Sequence, residues 1–240
     1  MNPDFYVGYQ PVAAPAIRRF VRVASITLGV LSIGIATFII WAQGPFAVSR
    51  FDFGLYHDYE GELIEWPYPA LIGNNTRYLL VGPGKYGVAD LVRGHDETRV
   101  QLRGALISRG ADRMLEIEPQ SLHFSSNGQP PSRQIVDLGS VTLTGEIVDT
   151  KCHLGVMNPG EGKVHRGCAV RCISGGAPPG FLVRDEAGET RLLLLVGSDG
   201  RALGREVLDY VAEPVRITGR LERSGSALIL LTEPRDFRRE

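Results

Sequence analysis

Charge of one sign is what this chain lacks most. Twenty-seven acidic residues stand against 26 basic ones, for a formal net charge of −1. That balance excludes the global positive field on which nucleic-acid binding depends, and a long acidic tail with it. Charged residues are also few, 22% against 43% hydrophobic, which excludes a disordered chain. Cysteine is scarcer still. Three residues are too few for a disulfide framework, and pairing two of them leaves the third over. Catalytic signatures are missing as well. There is no C-x-x-C-H haem-attachment motif and no serine–histidine–acid order, and no pair of carboxylates suggests general acid–base work. The stretch Pro159-Gly160-Glu161-Gly162-Lys163-Val164 lacks the hydroxyl after its lysine that a phosphate loop needs. His57, His95 and His123 are scattered and read as surface or strand-end residues. An accessory or binding role is expected, rather than catalysis.

Long hydrophobic runs are confined to one place. No charged residue falls between Val23 and Ser49. The apolar core Val23–Trp41 makes roughly 28 Å of helix at about 1.5 Å per residue, close to the ~30 Å hydrocarbon thickness of a bilayer. A transmembrane helix is expected over residues 23–42. Arg18, Arg19 and Arg22 precede it, whereas Asp52, Asp58 and Glu60 follow with only Arg50 between. The positive-inside rule places residues 1–22 in the cytoplasm and everything from about 45 onward outside, which in a bacterium means an inner-membrane anchor with a periplasmic body. A cleaved signal peptide is the rival. It is disfavoured by the length of the run and by Ile40, which stands where a small residue should precede the cut. Ser25, Gly29, Ser32 and Ala36 share one helix face and would let a second membrane helix approach closely, though small residues are common in spans. The N-terminal tail carries Phe5, Tyr6 and Tyr9, aromatics that suit docking on a membrane-bound partner or adsorption at the lipid interface. The partners implied are the membrane and a membrane protein complex.

Glycine (29) and proline (15) are plentiful, which favours short strands and turns. The remainder of the chain is a duplication. Gly61-Glu62-Leu63-Ile64 answers to Gly145-Glu146-Ile147-Val148, and Leu79-Leu80-Val81-Gly82 to Leu194-Leu195-Val196-Gly197. Val100–Leu106 answers to Val215–Leu221, and Glu118-Pro119 to Glu233-Pro234. The interval from Gly82 to Gly104 is 22 residues and so is that from Gly197 to Gly219. One interval differs: Gly61 to Gly82 is 21 residues, whereas Gly145 to Gly197 is 52. The segments alternate as short strands, Arg109-Gly110 and Ser224-Gly225 read as hairpin turns, and Ala202–Ala212 reads as a short helix stopped by Pro214. Strands, a short helix and a closing hairpin make an OB-like barrel, in which a helix plugs one end. The expected fold is mainly β: one transmembrane helix, then two tandem OB-like barrels over residues 46–124 and 141–240, with a linker at 125–140.

The second copy therefore carries an insert, residues 150–180, and all three cysteines lie in it. Its proline–glycine loop can open a helix that Gly175-Gly176 ends. On that helix His165, Cys168 and Cys172 stand at i, i+3 and i+7, and Cys152 arrives from the preceding strand. The candidate ligand set is Cys152, His165, Cys168 and Cys172, with His153 and Met157 as further donors. Thiolates and imidazole suit zinc, copper or iron. Lys151, Lys163, Arg166 and Arg171 flank the sulfurs against Glu161 and would favour thiolates. Two alternatives stay open: a disulfide stapling the insert to its barrel, since thiols outside the cytoplasm tend to oxidise, and a reactive thiol pair.

One N-terminal span before an extracytoplasmic OB-like barrel resembles the haem chaperone family of cytochrome c maturation, in outline only. That family attaches haem through a histidine in an H-x-x-x-Y motif, and none occurs here, so no haem role passes to any residue. The segment Gly145–Pro179 is similar to segments of bacterial membrane-anchored proteins with tandem OB-like barrels. That resemblance implies a place beside redox enzymes, as an accessory subunit or as a thiol-redox, metal or haem chaperone.

Overall fold

A computed structural model describes residues 13–42, 49–74, 76–125, 135–185 and 188–240. The chain divides into two units between Ala47 and Val48.

The first unit holds helix α1 (Pro15–Ala42), 28 residues with none buried. Proline suits a first helical turn, because its missing N–H would have no partner there. The helix thus opens ahead of Arg18, Arg19 and Arg22 rather than at Val23. Its length and apolar character are enough to cross a membrane. Thr37 Oγ1 donates to Ile33 O at 2.8 Å, so this hydroxyl is satisfied within the helix. Ser25, Gly29, Ser32 and Ala36 are all exposed, and a Cβ on Gly29 would meet nothing within 4 Å. Phe5, Tyr6 and Tyr9 lie outside the described residues.

The second unit contains two closed five-stranded barrels. The first is built from β2 (His57–Ile64), β3 (Ala70–Gly73), β4 (Thr76–Val81), β5 (Arg99–Arg109) and β6 (Asp112–Ile117). They run β5-β2-β3-β4-β6 and close back on β5, with only the β4–β6 pair parallel. Two short strands, β1 (Ser49–Phe51) and β7 (His123–Ser125), add to β5. The second barrel uses β8 (Ile135–Asp149), β9 (Pro179–Arg184), β10 (Thr190–Gly197), β11 (Pro214–Ser224) and β12 (Ala227–Thr232). They run β11-β8-β9-β10-β12 and close through β11–β12, with only β10–β12 parallel. A terminal strand β13 (Phe237–Arg239) lies on β11 as β7 lies on β5. The shared topology is that of the OB-like barrel.

The repeated glycines have physical causes. A Cβ on Gly61 would fall 2.2 Å from Ile72 O, and one on Gly145 would fall 2.4 Å from Leu182 O, so in each barrel the first strand passes too close to the second for a side chain. Gly82 N donates to Tyr86 O and Gly197 N to Arg201 O, each at 2.8 Å, closing the same turn after the third strand. Gly110 and Gly225 take φ of +57° and +60° in the two closing hairpins, where a side chain would be strained. The plug is α2 (Ala89–Val92) in the first barrel. In the second it is a 3-10 turn, Arg205–Tyr210, shorter and tighter than the helix expected over Ala202–Ala212, with Val207 and Val211 buried. The linker is also shorter than its expected span: Ser125 ends β7 and Ile135–Ser140 already belong to β8, leaving 126–134 outside the described residues.

Each barrel has its own core, around Leu63, Leu80 and Val100 in one and Ile147, Phe181 and Leu195 in the other. A third cluster spans both, joining Val81, Ile107 and Met114 to Leu194 and Val196, with Leu154 of the insert. Tyr68 reaches across the same seam. Its hydroxyl donates to Leu195 O and accepts from Leu203 N at 3.0 Å. Tyr68→Phe leaves both groups without that partner and is expected to lower stability by about 1–3 kcal/mol. A lower urea midpoint at unchanged slope is the expected readout, and an unchanged midpoint would remove Tyr68 from the account of the seam.

Candidate metal centre

The insert connects the first and second strands of the second barrel, where the first barrel has only a short loop. Thr150 closes its base, with Oγ1 donating to Pro178 O at 2.8 Å. The chain then makes one wide turn, Cys152–Val156, and passes through the proline–glycine loop. A 3-10 turn, Lys163–His165, leads into α3 (Arg166–Ser174). Gly175 N–H bonds back to the carbonyls of Arg171 and Cys172, and Gly176 at φ +100° ends the helix. The glycine stop falls where the sequence places it, whereas the helix begins just after His165, which the sequence reading puts on it.

This path gathers the three sulfurs. Cys152 Sγ is 3.8 Å from Cys168 Sγ and 4.0 Å from Cys172 Sγ, and all three lie within 4.8 Å of one another. Cys152 and Cys172 are buried and Cys168 half-buried; all three are free thiols. A covalent disulfide needs about 2.05 Å, so the staple is not the arrangement here.

The expected imidazole groups with one sulfur of the trio, that of Cys152. His165 Nε2 lies 2.9 Å from Asp149 Oδ2, and Asp149 Oδ1 accepts the Cys152 N–H at 2.8 Å. Asp149, Cys152 and His165 form a second group of donors that shares only Cys152 with the first. His153 turns toward the first barrel, with Arg109 Nη1 at 3.1 Å from its Nδ1 and Glu161 Oε2 at 3.3 Å. Its hydrogen bond holds the Glu161 carboxyl below the ordinary range. Met157 is exposed and belongs to neither donor group.

The cations also fall differently from expectation. Lys163 and Arg166 pair with Glu213 at 3.6 and 2.5 Å, and Arg171 is exposed. Lys151 is buried and points into the first barrel, onto Glu116. The cation at the sulfurs is Lys85, from the turn after β4, with Nζ 2.7 Å from Cys168 Sγ and 3.7 Å from Cys172 Sγ. The hydrogen bond to Cys168 pushes the Lys85 ammonium up, keeping it charged. The hydrogen bond between Cys152 and Cys172, with burial and the Asp149 charge behind it, pushes the Cys152 thiol up. The same bond, with the Lys85 charge, pulls the Cys172 thiol down.

Sequence reasoning missed Lys85 and Asp149. The only trace of Lys85 is a departure from the repeat, since the duplication places Gly200 opposite it.

The two separations from Cys152 suit a single ion. Sulfurs bonded at about 2.3 Å lie about 3.8 Å apart in a tetrahedron and about 4.0 Å apart in a trigonal plane. A 4Fe–4S cluster binds each cysteine to a different iron and needs wider spacing. The cysteine trio and the Asp149–His165–Cys152 group are each arranged so that they could hold a metal ion. No protein-family model, curated protein or solved structure matches the chain.

Proposed function

We propose that this protein is a membrane-anchored, periplasmic accessory subunit of a larger membrane complex, a redox complex by its resemblance, and that its second barrel carries one transition-metal ion on Cys152, Cys168 and Cys172. The convergence of three free sulfurs, with both Cys152 separations matching those around a thiolate-bound ion, carries the metal reading. The apolar helix α1, with arginines at its start and acids after it, supports the anchor and its orientation. The exposed Ser25, Gly29, Ser32 and Ala36 face supports packing against a partner helix, and Phe5, Tyr6 and Tyr9 would add anchors on the cytoplasmic side. Asp149 would orient Cys152 by accepting its backbone N–H, and His165 would hold that carboxylate in place.

Full-length protein, purified in detergent without air or chelator, is expected to carry about one metal ion per chain by elemental analysis. Cys168→Ser is expected to lose it while keeping the far-ultraviolet circular dichroism of the parent. Metal-free protein with Cys152 in a disulfide would overturn the metal reading in favour of the staple.

A further inference from the structure

The identity of the ion follows from what surrounds the sulfurs. Structural zinc takes four protein donors. Among the described residues three sulfurs converge, and no fourth histidine or carboxylate donor groups with all three. His165 and Asp149 bind each other and group with Cys152 alone. His153 lies between Arg109 and Glu161. Among the described residues the charged side chain in contact with Cys168 and Cys172 is Lys85, and a lysine ammonium has three donors and no lone pair to give a metal.

That lysine is placed by construction. Lys151 Nζ donates to Gly82 O at 2.8 Å and to Gly84 O at 2.6 Å, gripping the turn on the near side of Lys85. Gly87 N donates to Gly175 O at 2.7 Å and ties the far side to the end of α3. A turn held at both ends by the insert presents its cation to the insert's sulfurs.

Thiolates select soft ions, of which Cu(I) and Zn(II) are the single-ion cases. Among the described residues zinc finds no fourth protein ligand shared by the trio, whereas Cu(I) is content with three thiolates. We propose, resting on the metal reading above, that the centre binds Cu(I) in a three-thiolate site, with the Lys85 ammonium as its outer charge partner. Binding releases the thiol protons. Three thiolates around a monovalent ion leave two negative charges, and Lys85 offsets one. Lys85 is therefore a positioning and charge-balancing residue, not a ligand.

The test uses the full-length protein in detergent under anaerobic conditions. Cu(I) is titrated against bicinchoninate, and Zn(II) and Co(II) against a pyridylazo dye. One Cu(I) per chain is expected to resist the chelator, with X-ray absorption showing three sulfurs at about 2.3 Å and no nitrogen or oxygen. Zinc and cobalt are expected to pass to the dye. Lys85→Met is expected to weaken Cu(I) binding about tenfold with the melting temperature retained, and Lys85→Arg to restore most of it. Zinc or cobalt held at one equivalent with a fourth nitrogen or oxygen ligand would overturn the copper assignment while leaving the metal reading standing. Failure of every ion to bind would bring down both. Unchanged Cu(I) affinity in Lys85→Met would remove the lysine from the site.

Discussion

Lys151→Met is expected to destabilise the barrel unit by about 3–5 kcal/mol, the range seen when one partner of a buried ion pair is removed. The side chain of Lys151 is 1% exposed and that of Glu116 is 8% exposed, with Nζ and Oε2 2.6 Å apart. The remaining two ammonium donors go to Gly82 O and Gly84 O, so all three are used. Methionine would fill the volume but leave a carboxylate and two carbonyls without their donor in a buried place. Against a total stability of about 5–15 kcal/mol for a typical domain, that is a large fraction. Adding Glu116→Gln should recover part of the loss by removing the stranded charge; the two carbonyls keep the recovery incomplete. Urea unfolding of the parent, the single and the double variant would measure this. A single-variant loss below about 1 kcal/mol would show that water reaches the pair and that Lys151 does not hold the barrels together.

The barrels were legible because a duplication repeats its own constraints. Gly61 and Gly145 recur since the same strand crowds each of them, and Gly110 and Gly225 recur since the same hairpin needs a positive φ. The sulfurs were legible because α3 and its glycine stop are local features, set by neighbours in the chain. Long-range partners left no such trace. Lys85 lies 83 residues before Cys168 and belongs to the other barrel, so no spacing rule connects them. His165 stands one residue before α3 rather than within it, and the end of β8 brings Asp149 opposite its ring. Lys151 sits beside Cys152 in sequence, yet the turn after β8 sends the two side chains to different places: the thiol to the insert, the ammonium to the first barrel. Adjacency in sequence reports adjacency of backbone, and the direction of each side chain depends on packing that only the folded pair of barrels supplies.

Gly175→Ala should separate the placement of Lys85 from the chemistry of the sulfurs. Gly175 has φ −84° and ψ −1°, a conformation any residue adopts, so backbone freedom does not require the glycine. Close approach does: a Cβ would fall 1.9 Å from Lys85 O, and that neighbour is backbone and cannot swing aside. The turn carrying Lys85 must therefore move off the end of α3, at a cost of about 1–3 kcal/mol for overpacking. The three cysteines all lie in the insert, so the variant is expected to keep about one Cu(I) per chain while its affinity falls to that of Lys85→Met. Combining Gly175→Ala with Lys85→Met should then weaken binding no further, because both act through one ammonium. Additive losses in the double variant would mean that the seam shapes the sulfur trio itself, and that the lysine is not what the glycine serves.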